Sequence, residues 1–126
     1  MTIQSDIATA TAAVVSGRVY QEGEVPERTA YPLVTFRRTL ENPIMTLEGY
    51  SGITISEFTF ECWGDETNSA TAKALAITTA AALTAAIEAA QTTVLPSQWR
   101  LPVSGEDYDP ATLQIMQPVA FGFAHP

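Results

Sequence analysis

The chain has 126 residues, 46% of them hydrophobic, which is enough for one domain with a substantial core. Its 14 acidic and six basic residues give a net charge of −8 at pH 7, which argues against tight binding to nucleic-acid phosphates or to an anionic membrane. The single cysteine excludes an internal disulfide, and residues 1–6 lack the basic segment of a secretory signal, so we expect no leader.

The predicted elements follow one another in blocks, without a regular βαβ alternation and without an internal repeat. Apolar periodicity, glycines and prolines set their bounds. In chain order we predict a helix at 3–15, a short extended piece at 19–20, a polar loop at 21–28, a strand at 32–40, a long hairpin connection at 41–52, a strand at 53–63, a helix at 70–90, an irregular or edge strand at 94–103, an acidic turn at 105–110 and a last strand at 113–123.

The second central strand changes its alternation part-way along. Ile53 and Ile55 share one face, whereas Phe58 and Phe60 share the opposite one. Either a β-bulge at residues 56–57 or a sheet with both faces partly covered would reconcile the two halves. In the last strand, Pro118 likewise predicts a bulge or an edge position.

Both helices are predicted to bury one face against the sheet. The first is capped by Ser5 or Asp6 and the second by Asp65, Thr67 or Asn68. The apolar stripe of the second helix consists of Ala72, Leu75 or Ala76, Thr79, Leu83, Ala86 or Ile87, and Ala90.

The order of elements predicts an α+β fold in a single domain spanning residues 1–126, with an antiparallel sheet of about four strands and two helices packed on one face. The alanine-rich run at 70–90 is too weakly hydrophobic, and too interrupted by threonines and charges, for a predicted membrane span.

No residue set predicts catalysis or metal binding, so we expect neither an enzyme nor a cofactor. His125 lies close to a terminus, where a catalytic base would not be held in place. Cys62 alternates with buried phenylalanines, which predicts a buried thiol, and one cysteine with one histidine does not make a zinc site. Asp107 and Asp109 begin like a calcium loop, but the glycine and glutamate that such a loop requires are missing.

Arg37 and Arg38 form the only basic doublet. On a strand their side chains face opposite sides. One reading is a solvated arginine plus an ion pair on the sheet face, for example with Glu57 or Glu61. The other is that one of the arginines contacts an acidic surface on a neighbouring protein.

The chain resembles the tail-completion, or tail terminator, proteins of long-tailed bacteriophages over nearly its whole length. The resemblance lies in residue types along a short strand, a glycine-containing hairpin, a longer strand and a helix. The stretches that carry it are Arg18-Val19-Tyr20, Pro32-Leu33-Val34, Leu47-Glu48-Gly49, Gly52-Ile53, Phe60-Glu61-Cys62-Trp63, Tyr108-Asp109 and the strand from Val119 to Phe123.

The resemblance implies a virion structural protein, assembled in the host cytoplasm and located at the neck between head and tail. Members of this family form a ring, commonly a hexamer, at the head-proximal end of the tail tube. The ring ends tube polymerisation and joins the tail to the head connector or head-closure protein. Its implied partners are therefore other copies of itself, the tail tube protein and the connector, with genomic DNA passing through the lumen without specific binding.

The connection at 41–52 is the predicted contact surface, because apolar residues in an exposed loop indicate a partner. With the basic doublet, the predicted interface residues are Ile44, Met45, Leu47, Tyr50, Arg37 and Arg38. Two alternatives stay open. One is another ring component of the same particle, such as a tube subunit or a head-closure protein. The other is an unrelated cytoplasmic α+β adaptor or small enzyme.

Overall fold

The computed structural model of the protein describes residues 2–26, 31–64, 69–103, 107–109 and 114–126, and its α+β class is the one predicted. Short 3₁₀ turns at Val14–Gly17 and Ala90–Thr92 follow the two helices. The helices are α1 (Ile3–Ala10) and α2 (Ser69–Ala89), and the strands are β1 (Val19–Gln21), β2 (Leu33–Thr46), β3 (Gly49–Trp63), β4 (Gln98–Leu101), β5 (Asp107–Asp109) and β6 (Gln114–His125).

Six strands form one sheet in the described part of the chain. Its order is β1-β2-β3-β6-β4, and β5 pairs with β6 further along that strand. All neighbours run antiparallel except β1 and β2, which are parallel. The sheet therefore contains the four predicted strands, two additional short ones and one parallel pair.

The longest elements are β2 and β3, and here the predicted connection at 41–52 is wrong. Both strands continue through that segment, and only Leu47 and Glu48 form the turn between the paired residues Thr46 and Gly49. Gly49 adopts φ of 118°, which a residue with a side chain rarely adopts. Gly49 and Gly52 were predicted to lie in a loop. Gly49 instead begins β3 directly after the turn, and Gly52 lies at a register shift within β3.

The predicted bulge in β3 is also absent, because β3 pairs with β6 in unbroken register from Thr54 to Trp63. The irregularity lies instead in the pairing of β2 with β3. Arg38 pairs with Phe58 and Leu40 with Glu57, so β2 has one extra residue at this point. The second alternative holds: both faces of the sheet are partly covered. On the face away from the helices the Trp99 indole lies over Gly122, where a Cβ atom would come within 2.3 Å of the ring.

The core lies between the sheet and both helices, which pack on one face as predicted. Five phenylalanines from β2, β3 and β6 form its centre, with ring centroids 5.6–6.4 Å apart: Phe36, Phe58, Phe60, Phe121 and Phe123. Ile7 of α1 and Leu83 and Ile87 of α2 are fully buried against them. At the end of β3, a Cβ on Gly64 would lie 2.0 Å from the carbonyl oxygen of Ala72, so only glycine permits this approach of strand and helix.

The helices differ from prediction mainly at their ends. The first stops at Ala10 rather than at residue 15, and Thr2 caps it by accepting a hydrogen bond of 3.1 Å from the Ser5 N–H. The predicted stripe of the second helix is confirmed, with Ala72, Ala76, Thr79, Leu83, Ile87 and Ala90 buried. The predicted capping residues at 65–68 lie outside the described residues.

The C-terminal third is more regular than predicted. Only residues 98–101 of the third predicted strand pair, as β4 at the sheet edge, while Asp107–Asp109 of the predicted acidic turn forms β5. β6 continues through Pro118 without a bulge. The missing N–H is tolerated there because β5 pairing ends at Met116 and β4 pairing begins at Ala120, which leaves a gap beside the proline.

Candidate assembly interface

The end of the β2–β3 ribbon projects beyond the rest of the sheet. β6 accompanies β3 only as far as the Thr54–His125 pair, and β1 accompanies β2 only as far as the Gln21–Phe36 pair. Within the described part of the chain, residues 43–53 therefore form a two-stranded ribbon without a neighbouring strand on either side. We call residues 43–53 the arm.

The arm carries apolar side chains that nothing in the described fold covers. Leu47 at the turn is fully exposed, Met45 is 63% exposed and Tyr50 is 51% exposed. Ile44 and Ile53 are exposed as well. A cluster of this kind on a projecting element marks a surface that contacts another molecule, because isolated exposed apolar residues are common but contiguous ones are not.

Local hydrogen bonds hold the arm in a defined shape. The Thr46 hydroxyl donates to the Gly49 carbonyl at 3.0 Å and accepts from the Glu48 N–H at 3.3 Å, which fixes the two-residue turn. Met45 pairs with Tyr50 across the ribbon, and the Tyr50 hydroxyl lies 2.9 Å from the Thr54 hydroxyl. These hydrogen bonds therefore hold the backbone of the turn that carries Leu47 at the tip.

The backbone of the arm offers a second means of binding a partner, through hydrogen bonds. Its two outer edges have no strand partner in the described residues, so they offer N–H and C=O groups to an added strand. Recognition by strand addition uses such edges for affinity and alternate side chains for specificity. An edge flanked by exposed Met45 and Leu47 combines both features.

The structure places four predicted interface residues, Ile44, Met45, Leu47 and Tyr50, on the arm, but it does not bring the basic doublet to them. Arg37 pairs in register with Thr59, well inside the sheet. Its Nε lies 3.7 Å from a Glu22 carboxylate oxygen, and both side chains are about half exposed.

Arg38 faces the opposite side, as predicted. It forms an ion pair with Glu41, stacks over the Phe58 ring at 5.4 Å and approaches the side-chain oxygen of Gln4 at 3.4 Å. The doublet thus makes contacts within the chain, and the acidic partners seen among the described residues are Glu22 for Arg37 and Glu41 for Arg38. An exposed pair such as the one to Arg37 contributes little stability and leaves that arginine accessible.

A groove between α2 and β4 was not predicted from the sequence. Its volume is about 490 Å³, and alanines of α2 make it roomy. Its lining includes Ala81, Ala85, Glu88, Arg100, Val103 and Pro118. The alanine-rich face of the helix and the proline-flanked strand were visible in the sequence, but their juxtaposition depends on the pairing of β4 with β6, which no local pattern predicts.

The arrangement of nucleophilic and metal-binding side chains gives no accessible reaction centre in the described residues. His125 is not frayed as predicted: it belongs to β6, and its Nε2 lies 2.7 Å from the Ser56 hydroxyl. The Nδ1 atom lies 3.0 Å from the Pro126 backbone oxygen, so both ring nitrogens have a hydrogen-bonding partner. Ser56 is fully buried, so this contact fastens β6 to β3 and does not expose a nucleophile.

Cys62 is fully buried, as predicted, and burial raises the pKa of its thiol to about 12. The thiol is therefore protonated and unreactive at neutral pH. No group of three histidine, cysteine, aspartate or glutamate side chains lies together among the described residues in a way that would hold a metal ion.

One helical stretch, Ala72–Thr92, is long and apolar enough by length and composition to cross a membrane. Core helices of globular proteins meet the same criterion. Here 33% of the stretch is buried, and its buried side includes Leu83 and Ile87 against the phenylalanine cluster.

Comparison with known proteins assigns no family to this chain. No protein-family model matches it, and no curated protein is significantly similar to it in sequence. The arm is therefore the structural feature from which we infer a function.

Proposed function

We propose that the protein is a virion structural protein of a long-tailed bacteriophage, which forms a ring at the head-proximal end of the tail tube. In this role it ends tube polymerisation and joins the tail to the head connector. The observation that carries the proposal is the arm, a preformed ribbon whose apolar side chains and backbone edges are available to a partner. The sequence resemblance to tail terminator proteins supplies the identity of the partners.

The arm brings apolar surface to a contact between copies. Burying a fully exposed Leu or Met side chain contributes about 1.5–3 kcal/mol. Because Met45 is already about one third buried, Leu47 and Met45 together would contribute about 2.5–5 kcal/mol to each contact. Strand pairing along the arm edges and closure of the ring would add to this contribution.

The charge of the chain suits a ring through which DNA passes. Each copy carries a net charge of −8, so an assembled ring is strongly acidic. An acidic lumen repels phosphates, and DNA then slides through it without being retained. Binding of duplex DNA requires clustered lysines and arginines, and this chain has six such residues in all.

The proposed role is non-enzymatic and needs no cofactor. In the described residues the serine–histidine contact is buried and the thiol is protonated, and both features serve packing. The proposed partners are other copies of the chain, the tail tube protein and the head connector or head-closure protein. The proposed location is the neck of the virion, with assembly in the host cytoplasm.

Deletion of the gene from a phage that encodes this protein tests the proposal. We expect full heads and separate tails of abnormal length, because nothing would stop the tube or seal it to the connector. Electron microscopy of the lysate gives the readout. Expression of the wild-type chain in trans should restore joined particles.

A double substitution, Met45→Ser with Leu47→Ser, is the informative variant in the same assay, and Ala74→Ser on an exposed face of α2 is its matched control. The arm variant should fail to restore joining, and the control should succeed. Normal particles from the deletion strain would refute the proposal. Labelling of the protein along the full length of the tail would instead identify a tube subunit.

A further inference from the structure

We infer that the tip of the arm of one copy docks into the groove between α2 and β4 of the next copy, with Leu47 in the groove and Glu48 against Arg100. The inference rests on the proposed function and specifies the surface that receives the arm. It makes the contact between copies head to tail.

The first observation is that arm and groove lie at opposite ends of the sheet. The arm begins beyond the Thr54–His125 pair, whereas the groove lies beside Gln117, Pro118 and Val119. From Pro118 in the groove to His125 is seven residues along β6, and from Pro43 to Leu47 at the tip is four residues along the arm. At ~3.3 Å per residue, the groove and the tip are roughly 35 Å apart. The arm cannot fold back into the groove of its own chain.

This separation has a consequence for symmetry. With a projecting element at one end and a receiving surface at the other, a contact between two copies leaves one copy with a free groove and the other with a free arm. Such a contact is heterologous, and it generates a closed ring when successive copies rotate about an axis. A two-fold contact between arms would instead stop at a dimer.

The second observation is the match of size and polarity. The groove is open to solvent and has a volume of about 490 Å³, which leaves room for a leucine side chain. Ala81, Ala85 and Val103 form its apolar part, and Thr84, Glu88, Arg100 and Gln117 form its polar part. A smaller groove of about 280 Å³ between α1 and β1 also has apolar lining, from Val19 and Phe36, but its lining includes no arginine or lysine that would pair with Glu48.

The third observation is charge. Glu48 stands beside Leu47 at the tip and is exposed. Arg100 at the groove is held over the Phe121 ring at 5.5 Å, is 54% exposed, and lies 3.9 Å from Glu88. That long, half-exposed ion pair contributes little, so Arg100 exchanges Glu88 for Glu48 at small cost. The Glu88 carboxylate also lines the groove and offsets part of the attraction between Glu48 and Arg100.

Charge reversal tests the contact. Glu48→Arg and Arg100→Glu should each weaken self-association at least roughly tenfold, because like charges meet across the contact. An equimolar mixture of the two variants should regain wild-type association, since each tip then meets a groove of opposite charge. Sedimentation velocity of the purified protein over a concentration series, with and without isolated tails, measures this. Glu24→Arg is the control for a change of net charge, and thermal unfolding checks that each variant folds.

Cross-linking gives the second readout. A chain with Leu47→Cys and Ala85→Cys should form a disulfide-linked ladder up to a closed ring, whereas each single variant should stop at a linked dimer or below. Buried Cys62 does not compete. The matched control replaces Ala85→Cys with Ala74→Cys, which lies on α2 outside the groove, and should give no ladder.

If the wild-type chain assembles while both charge-reversal variants assemble equally well and no ladder forms, this contact is wrong and the proposed ring protein stands. If the wild-type chain remains monomeric even with isolated tails, both the contact and the proposed function are overturned.

Discussion

Replacing Met45 and Leu47 by serine should separate folding from assembly. Leu47 is fully exposed, so its replacement removes no buried surface from the monomer. Met45 is 63% exposed, so only about a third of the ~1.5–3 kcal/mol for burying a methionine stabilises the monomer. Its replacement should therefore lower the free energy of unfolding by less than about 1 kcal/mol. The same double substitution should remove about 2.5–5 kcal/mol from each contact between copies, because about two thirds of Met45 and all of Leu47 are available for burial, and this corresponds to a factor of roughly 10² to 10⁴ in association.

Urea unfolding of the monomer measures the first quantity, and sedimentation velocity of the assembling protein measures the second. Leu83→Ala is the control for a core change: this fully buried leucine should cost about 2–5 kcal/mol in the free energy of unfolding. If the arm variant lost more than about 2 kcal/mol of monomer stability, Met45 and Leu47 would belong to the core. If it assembled like the wild type, the arm would not be the contact surface.

Three further predictions follow from single sites. Gly64→Ala should destabilise the fold by at least about 1–3 kcal/mol in urea unfolding, because the new Cβ would lie 2.0 Å from the Ala72 carbonyl oxygen; an unchanged midpoint would contradict this close approach. Cys62 should resist thiol reagents until the chain unfolds, because its thiol is buried. Since burial raises the pKa of this thiol from 9.0 to about 12 in the folded state, its contribution to the free energy of unfolding should be complete below pH 9 and be lost as pH rises from 9 toward 12. The assembled protein should not retain duplex DNA at physiological salt in an anisotropy titration, whereas tight binding with a steep salt dependence would show that Arg37, Arg38 and Arg100 converge on the lumen.

The parts of the fold that depend on local periodicity were predictable from the sequence. The stripe from Ala72 to Ala90 and the alternation of Phe58 with Phe60 placed the core correctly, because helix and strand periods differ clearly over such lengths. The exposure of Leu47 and Met45 was predicted from the assignment of residues 41–52 to a loop; the side chains are exposed, although the segment consists of paired strands. Their role in binding stays a prediction.

The continuation of β2 and β3 into the arm was not predictable by the same reasoning. Asn42, Pro43, Gly49 and Gly52 are typical of loops, and all of them lie within paired strands here. Gly52 has φ of 88° and lies between the Pro43–Thr54 and Met45–Tyr50 pairs, where β3 has two more residues than β2. It is therefore part of a bulge in β3. Pro43 is tolerated because the ribbon has no further strand beside it in the described residues.

Non-local pairing accounts for what else the sequence did not reveal. The parallel contact of β1 with β2 and the position of β4 beside β6 join segments far apart in the chain. The groove that includes Arg100 exists only because of the second of these contacts. Its lining residues come from three elements, and no spacing in the sequence connects them.

The ordered shape of the arm lowers the entropic cost of association. A flexible connection of the same length would lose conformational freedom on binding, at about 1–2 kcal/mol for each backbone residue that becomes fixed. The hydrogen bonds of Thr46 and the cross-strand pairing of Met45 with Tyr50 have already restricted this segment in the monomer. The ordering cost is thus already met in the monomer, so the burial of Leu47 has to offset only the translational and rotational freedom lost on association, and partners would capture a ribbon that needs no folding at the moment of encounter.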